Sequence, residues 1–413
     1  MPLSLAVSIV VFLLIAVREW LPAGLKIWHV MLGGAVVLLV AGEIGPADAL
    51  NAINWTVIFY LFAVFSIGAA LHCSGASDAL ATHLARKRSP HLLVGGLVFT
   101  FALVAALLTN DAAAIIGTPV AIRLATRAGL DPRRLLVALC VAVTVGSMAT
   151  PIGNPQNLLI ASAGQLEHPF RVFLVWLIVP TFALLALTAW WYGRAIPPAP
   201  EVAHAFAHPK ALRERTWPAL VSAGLLAIVV IGTGLTGSVS ETGPLSLGAL
   251  ALLACAPTYL FARHRCALLR AADWPTLVFF LAMFVVTEAL IESGSLQLLL
   301  GDLRTRLGEP LVAAIVAFVG SQLFSNVPLV DMYLKLAPSL TTPTLMALAA
   351  VSTLAGNVFI ISAASNVIVV QQAERLGVRP FTFTAFTRTV LPFGLVSTAV
   401  TTGWVLAVRT LTE

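Results

Sequence analysis

Charged side chains are scarce in this chain. Lys, Arg, Asp and Glu make up 10% of its 413 residues and hydrophobic residues 59%, whereas soluble domains run near about 25% and 45–50%. So few charges cannot cover a water-facing surface, which excludes a soluble globular domain and predicts an integral membrane protein. Cysteine is also rare, and Cys73, Cys140, Cys255 and Cys266 show no Cys-x-x-Cys spacing, so neither a disulfide framework nor a structural metal site is expected. The eight histidines form no His-Glu-x-x-His motif, and the chain has no Walker loop and no Gly-x-Ser-x-Gly elbow. Enzymatic chemistry and a bound cofactor are therefore not expected.

What the chain has in quantity is long apolar runs. Leu3–Val17, Trp28–Gly42, Trp55–Leu71, Phe170–Trp191, Trp217–Leu235, Leu245–Ala262, Trp274–Ile291 and Val390–Val408 approach the ~20 residues that a helix needs to cross a bilayer. The first run lacks a basic start and an Ala-x-Ala-like cleavage site and is closed by Arg18 and Glu19. It reads as a retained span rather than a signal peptide.

Other apolar stretches are interrupted by polar, helix-breaking residues. His91–Leu108 and Ala112–Thr126 flank Thr109, Asn110 and Asp111, while Pro310–Phe324 and Leu329–Leu336 flank Ser325, Asn326, Val327 and Pro328. Arms of about 10–18 residues with so short a polar tip predict two re-entrant hairpins, over 91–126 and 310–336, with their tips near mid-membrane. Two further runs are predicted to be broken helices, over 134–163 and 343–373. The first is interrupted at Pro151 to Pro155, the second around Gly356 and Asn357.

An internal repeat orders these pieces. Trp55–Gly75 aligns without a gap on Trp274–Gly294, and each copy is followed by an amphipathic stretch, a hairpin, a broken helix and a final helix. The predicted fold is all-α and polytopic: about 10 transmembrane helices in two repeats, 1–192 and 217–413, joined by a linker over 193–216 that contains Pro197, Pro198 and Pro200. Five crossings per repeat is an odd number, so the second repeat must be inverted relative to the first. Charge tests that parity. With both termini outside, only Arg171, Arg304, Arg306, Lys335 and Arg409 face out, and the remaining 19 of the 24 Lys and Arg face in, as the positive-inside rule requires. The linker is then cytoplasmic, and the net charge of +6 reflects orientation in the inner membrane rather than nucleic-acid binding.

At each interruption a half-helix starts inside the membrane. Its unpaired N–H groups and positive dipole end favour an anion, and Asn, Ser and Thr cap such starts. The unwound turns also expose carbonyls that can hold a small cation such as sodium. Thr109, Asn110 and Asp111 are expected to cap the second arm of the first hairpin, and Ser325 and Asn326 that of the second. Asn157 and Asn366 are expected to cap the second halves of the broken helices. Thr150, Gly153, Asn154, Gly356, Asn357 and Ser365 complete the candidate substrate- and ion-binding set, the glycines and short side chains letting a ligand reach the backbone.

Acidic residues inside spans are costly, which marks them as functional candidates. Asp111 has three roles open to it: binding sodium at the hairpin tip, relaying a proton, or capping. Glu288 falls opposite Ala69 in the repeat, so symmetry does not explain it, and it is a second candidate for proton coupling. Asp331 and Lys335, one turn apart, read as a neutralising pair, and Glu292 as structural.

The tip Thr109-Asn110-Asp111 with Thr118-Pro119, the run from Thr150 to Asn157, and Ser325–Pro328 with Ser352–Asn357 and Ser365-Asn366 resemble the ion transporter superfamily. The nearest likeness is to its arsenite permease and citrate-transporter-like group, related to divalent anion/sodium symporters and sodium/proton antiporters. The resemblance covers nearly the whole chain. It implies an elevator-type carrier, usually a homodimer, in which hairpins and broken helices move against a scaffold; energy from ATP would need a separate ATPase subunit. The symporters carry Ser-Asn-Thr at both tips. Thr109-Asn110-Asp111 departs from that pattern and favours the arsenite-permease and antiporter branches, raising the expectation of proton coupling.

The favoured expectation is a secondary active transporter for a small anion or oxyanion of the arsenite, carboxylate or sulfate class, coupled to protons or sodium. The alternative is a sodium/proton antiporter with Asp111 as the carrier, and a third class is a channel or a non-transporting scaffold.

Overall fold

A computed structural model describes residues 3–16, 25–84, 89–194, 214–236, 246–294, 301–337 and 339–412. Arg18, Glu19, the basic cluster Arg86, Lys87 and Arg88, and the linker residues 195–213 lie outside the described residues.

Every regular element among the described residues is helical. The first half contains α1 (Leu3–Ala16), α2 (Ile27–Val40), α3 (Pro46–Ala52), α4 (Trp55–Cys73), α5 (Ala76–Leu84), α6 (Pro90–Leu107), α7 (Asn110–Ala128), α8 (Pro132–Ser147), α9 (Pro155–Ser162) and α10 (Pro169–Gly193). The second contains α11 (Thr216–Thr236), α12 (Leu247–Leu260), α13 (Arg265–Ala271), α14 (Trp274–Glu292), α15 (Pro310–Phe324), α16 (Asn326–Leu336), α17 (Thr342–Ala355), α18 (Ala364–Arg375) and α19 (Phe383–Thr412). Proline marks the starts. Pro46, Pro90, Pro132, Pro155, Pro169, Pro275, Pro310 and Pro343 occupy the first or second helical position, where a missing N–H costs no internal hydrogen bond.

The helices α4, α10, α14 and α19, together with Thr216–Thr233 of α11, are long and apolar enough to cross a membrane. Six shorter apolar helices, α1, α2, α6, α12, α15 and α17, accompany them. The expected spans over Trp28–Gly42 and Leu245–Ala262 form helices of 14 residues each. At about 1.5 Å per residue, each is shorter than the hydrocarbon core, and each is followed by a short helix, α3 or α13. These two units therefore depart from the straight ~20-residue spans their hydropathy suggests.

The aligned segments repeat in local geometry as well as in sequence. Asn54 caps α4 by accepting from Val57 N, and Asp273 caps α14 by accepting from Thr276 N. At the other ends, Ser74 Oγ donates to Leu71 O and Ser293 Oγ to Leu290 O, and Gly75 and Gly294 follow with φ of +81° and +69°. The stops use the same Ser-Gly chemistry, and the starts use an Asn cap in one copy and an Asp cap in the other.

Packing divides the helices into two groups. One contains α1–α4 and α11–α14, with α4 against α12 and α2 against α14; the other contains α6–α10 and α15–α19, with α6 against α8, α15 against α17, α7 against α18 and α9 against α16. Each of these contacts has a counterpart in the other half. Small residues bring the pairs close: a Cβ on Gly146 of α8 would overlap the backbone of Ala102 in α6, so only glycine permits that separation. The groups meet where α4 touches α7 and α9, where α14 touches α16, where α1 touches α15 and where α10 touches α11.

Candidate functional site

Two helical hairpins and two broken helices converge within the second group. The first hairpin turns at Leu108 and Thr109. Thr109 is extended, and its Oγ1 accepts from Ala112 N at 3.1 Å, capping α7. Asn110 N donates to Gly153 O at 2.8 Å, tying the tip to the first broken helix, and Asn110 Nδ2 reaches Ser365 Oγ at 3.5 Å across the repeat boundary. Asp111 caps nothing: it is buried and its Oδ1 has no hydrogen-bond partner. Of the three expected caps, Thr109 accepts from Ala112 N, Asn110 Oδ1 accepts from Asp111 N at 2.9 Å, and the Asp111 side chain caps nothing.

The second tip differs. Ser325 separates α15 from α16 with φ 67° and ψ 162°, a region that is nearly reserved for glycine and costs about 1–3 kcal/mol elsewhere. Its side chain makes no capping bond, contrary to the expected capping role, because this backbone turn replaces the extended conformation of an ordinary N-cap. Asn326 is buried with Oδ1 unpartnered.

The broken helices correct the assignment of caps. In the first, α8 ends at Ser147 and α9 starts at Pro155, so the break is longer than Pro151 to Pro155. Asn154, not Asn157, caps α9, accepting from Asn157 N at 2.9 Å. Asn157 points backwards, its Nδ2 donating to Ser147 O at 3.3 Å and Thr150 O at 3.1 Å. Asn366 does the same in the second break, donating to Gly356 O at 2.8 Å, while α18 starts from Ala363 without a side-chain cap. Both asparagines lie one turn inside their helices, where the amide reaches carbonyls freed by unwinding better than it reaches its own helix start. Some carbonyls expected to await a cation are thus already satisfied. Thr150 Oγ1 meanwhile donates to Ala106 O at 2.6 Å.

The glycines explain how tightly the breaks are folded. A Cβ on Gly153 would overlap the Ser147 backbone, and one on Gly356 would sit 2.9 Å from Ala363 Cβ and 3.1 Å from Asn326 Nδ2.

Several residues outside the expected set join the cluster. Thr353 links the halves: its hydroxyl accepts from Asn154 Nδ2 at 3.1 Å and Gln156 Nε2 at 3.4 Å and donates to Asn157 Oδ1 at 3.4 Å. Gln322 donates to Ala355 O at 3.0 Å and accepts from Ser362 Oγ at 2.6 Å. Their only signal in the sequence is a polar side chain inside an apolar helix, close to a break.

The remaining polar atoms have a telling distribution. Among the described residues, the buried carboxylate and side-chain amide atoms without a hydrogen-bond partner belong to Asp111, Asn326, Asn357 and Asn366: one oxygen each, and both the oxygen and the nitrogen of Asn357. Leaving such a group unsatisfied costs about 1–3 kcal/mol. These four residues lie at three of the four chain interruptions.

A cavity of about 560 Å³ leads toward this cluster. Ser325 and Ala364 line it together with Ala69 and Ile115, and Lys26, His72, Arg270 and Arg375 give it a basic wall, with Asp273 as its acidic member. Ser325 is the one candidate residue in its lining. Glu288 stands apart, its Oε2 2.6 Å from Lys335 Nζ, which also lies 3.0 Å from Asp331 Oδ2. The Asp331–Lys335 pair is present, and Glu288 joins it.

The sequence pattern of the citrate transporter family matches residues 10–342. The chain belongs to that family. It is 29% identical to an uncharacterized transporter of Mycobacterium tuberculosis over 384 residues, covering 87% of this chain and 88% of the relative. It is also 29% identical to an arsenical pump membrane protein of Yersinia enterocolitica over 350 residues, covering 79% of each, and 26% identical to a silicon efflux transporter of Oryza sativa over 449 residues, covering 89% of each. Family and apolar helices together make this citrate transporter family member a multi-pass membrane protein.

Proposed function

We propose that this protein is a secondary active transporter that moves a small anion or oxyanion across the inner membrane, coupled to protons or sodium. The carrying observation is the set of unsatisfied buried groups at the interruptions. Oxygens of Asp111, Asn326, Asn357 and Asn366 suit a hard cation, and the starts of α7, α9, α16 and α18 suit an anion. One neutralises the other, so the two ions enter together. The cargo class extends from relatives named for arsenical and silicon transport.

The carrier works as an elevator. Residues 1–192 and 217–413 act as inverted repeats about a cytoplasmic linker, with α6–α7 and α15–α16 as re-entrant hairpins and both termini outside. The group with α6–α10 and α15–α19 moves against the group with α1–α4 and α11–α14. Paired contacts across the halves support the repeats. The basic cavity ending at Ser325 is the entry from the cytoplasm.

The test is uptake by purified protein in vesicles, with arsenite, sulfate, phosphate, citrate and succinate offered under an imposed sodium or proton gradient. Gradient-dependent accumulation of one anion is expected; accumulation of none would sink the proposal. Asp111 supports a second reading, a sodium/proton antiporter, because it is a buried carboxylate with an unpartnered oxygen. Sodium-driven pH changes inside vesicles without any anion substrate would select that reading.

A further inference from the structure

A second basic cavity, of about 640 Å³, lies away from the interruptions, where α8 starts, α10 ends and α19 starts. Arg133, Arg134 and Arg379 line it with Tyr192, and Asp131 and Glu374 are its acidic members. Two of these charges are committed locally. Asp131 Oδ1 accepts from Arg133 N at 2.9 Å as the cap of α8, and Arg133 Nε donates to Arg379 O at 3.3 Å. Glu374 is exposed at the rim.

Two donors have no recorded partner. The Tyr192 hydroxyl belongs to a side chain that is 0% exposed, and Arg134 Nε is equally buried; neither has a hydrogen-bond partner. A buried phenol without a partner is costly, and tyrosine hydroxyls at such depth normally find one. Both donors line the same cavity as the Arg379 side chain, and α19, a helix of 30 residues, begins there with Thr382 Oγ1 accepting from Ala385 N. Fork-shaped guanidinium donors, a hydroxyl donor and the positive end of a helix together match a phosphate group.

Depth and wall chemistry identify what carries that phosphate. Trp190 and Trp191, adjacent to Tyr192, are 50% and 39% exposed, and the Arg194 guanidinium lies 3.2 Å above the Trp190 ring. Exposed tryptophans with a neighbouring arginine mark the level of lipid headgroups. Thr382 and Thr389 also line it, their hydroxyls bonded to the backbone of Ala385, and the rest of the wall is apolar, from Val137, Pro380, Phe381 and Ala385, which suits the glycerol and upper acyl chain of a lipid. We propose that this cavity binds the phosphate headgroup of an anionic lipid at the cytoplasmic face, between α8, α10 and α19.

Native mass spectrometry of the full-length protein in detergent tests this, with phosphatidylglycerol and phosphatidylcholine supplied equally. Wild type should retain phosphatidylglycerol about tenfold better, and the double variant Arg134→Gln/Arg379→Gln should lose that preference. Tyr192→Phe removes only the hydroxyl, so it keeps the test alive if the double variant fails to fold; it should lower retention about threefold with unchanged elution from a sizing column. Equal retention of both lipids by wild type, or undiminished preference in Tyr192→Phe and the double variant, would overturn the site. Thermal stabilisation by inorganic phosphate matching that by phosphatidylglycerol, and lost in the same variants, would overturn the lipid assignment in favour of a soluble phosphate.

Discussion

Lys335 bridges Glu288 and Asp331, with its Nζ 2.6 Å from Glu288 Oε2 and 3.0 Å from Asp331 Oδ2. Glu288 is on α14, and the other two are on α16, so one ammonium joins the two helix groups. Superposing the repeats by sequence puts Ala69 opposite Glu288 and Ile115 opposite Asp331. Ala69 and Ile115 line the open basic cavity. The two positions differ: one presents Ala69 and Ile115 to the basic cavity, and the other is crossed by the Lys335 ion contacts.

Removing Lys335 should be worse than neutralising Glu288. Lys335→Ala leaves a buried Asp331 without its cation, a loss of about 3 kcal/mol by analogy with broken buried pairs. Glu288→Gln keeps the Asp331–Lys335 contact. Thermal midpoints in detergent should fall further for Lys335→Ala, and an equal or reversed order would show that the triad does not hold the junction.

Asn110→Ala and Asn326→Ala should each reduce uptake about 10–100-fold, the equivalent of a lost hydrogen bond to a charged ligand, with protein still inserted in the membrane. Vesicle uptake normalised to inserted protein is the measurement. Normal transport by both variants would remove the hairpin tips from the site.

Asp111→Asn keeps the shape of the side chain and removes its charge. Transport should persist only with a changed dependence on sodium or pH, read from initial rates across both. If that dependence matches wild type, Asp111 has no part in ion coupling.

Gly153→Ala should be damaging despite adding a single methyl group. The new Cβ would overlap the Ser147 backbone, which cannot rotate away as a flexible side chain can, and overpacking of this kind costs about 1–3 kcal/mol. A lowered thermal midpoint together with lost uptake is expected. A fully active, equally stable variant would mean that the break is looser than its geometry indicates.

Glu214, outside the spans, makes a prediction about pH. Burial works to raise its pKa, but the N–H groups of Arg263, His264 and Arg215 and the His264 side chain together hold it below the ordinary glutamate range. Two of those bonds are 2.6 Å and 3.0 Å long, from His264 N and Arg263 N. A carboxylate depressed on folding stabilises above its unfolded pKa, about 4.3, and that contribution disappears as pH falls through the folded value. Glu214→Gln should therefore lower the thermal midpoint at pH 7, with the gap closing as pH falls below about 4. A gap that stays constant across that range would contradict the linkage.

The polar interruptions were legible because Asn, Ser, Thr and Asp are costly inside apolar segments, so each marks a place where backbone or ligand needs it. The roles of individual asparagines were not. Asn154 and Asn157 are three residues apart in one motif, and whether an amide caps forward or reaches backward depends on how far α8 unwinds before Pro155. Thr353 and Gln322 escaped for a related reason. A single polar residue in an apolar helix gives no direction, and both acquire meaning from partners distant in sequence.

By itself, the sequence determined that this chain enters a membrane, is helical, repeats its segment order and breaks its helices at particular residues, because hydropathy, proline and polar cost act locally along the chain. The tertiary structure alone decided which broken ends meet, which polar atoms are left without partners, and that Lys335 joins Glu288 and Asp331 across the two helix groups. Those outcomes depend on distances between segments far apart in the chain, and composition and spacing do not fix such distances.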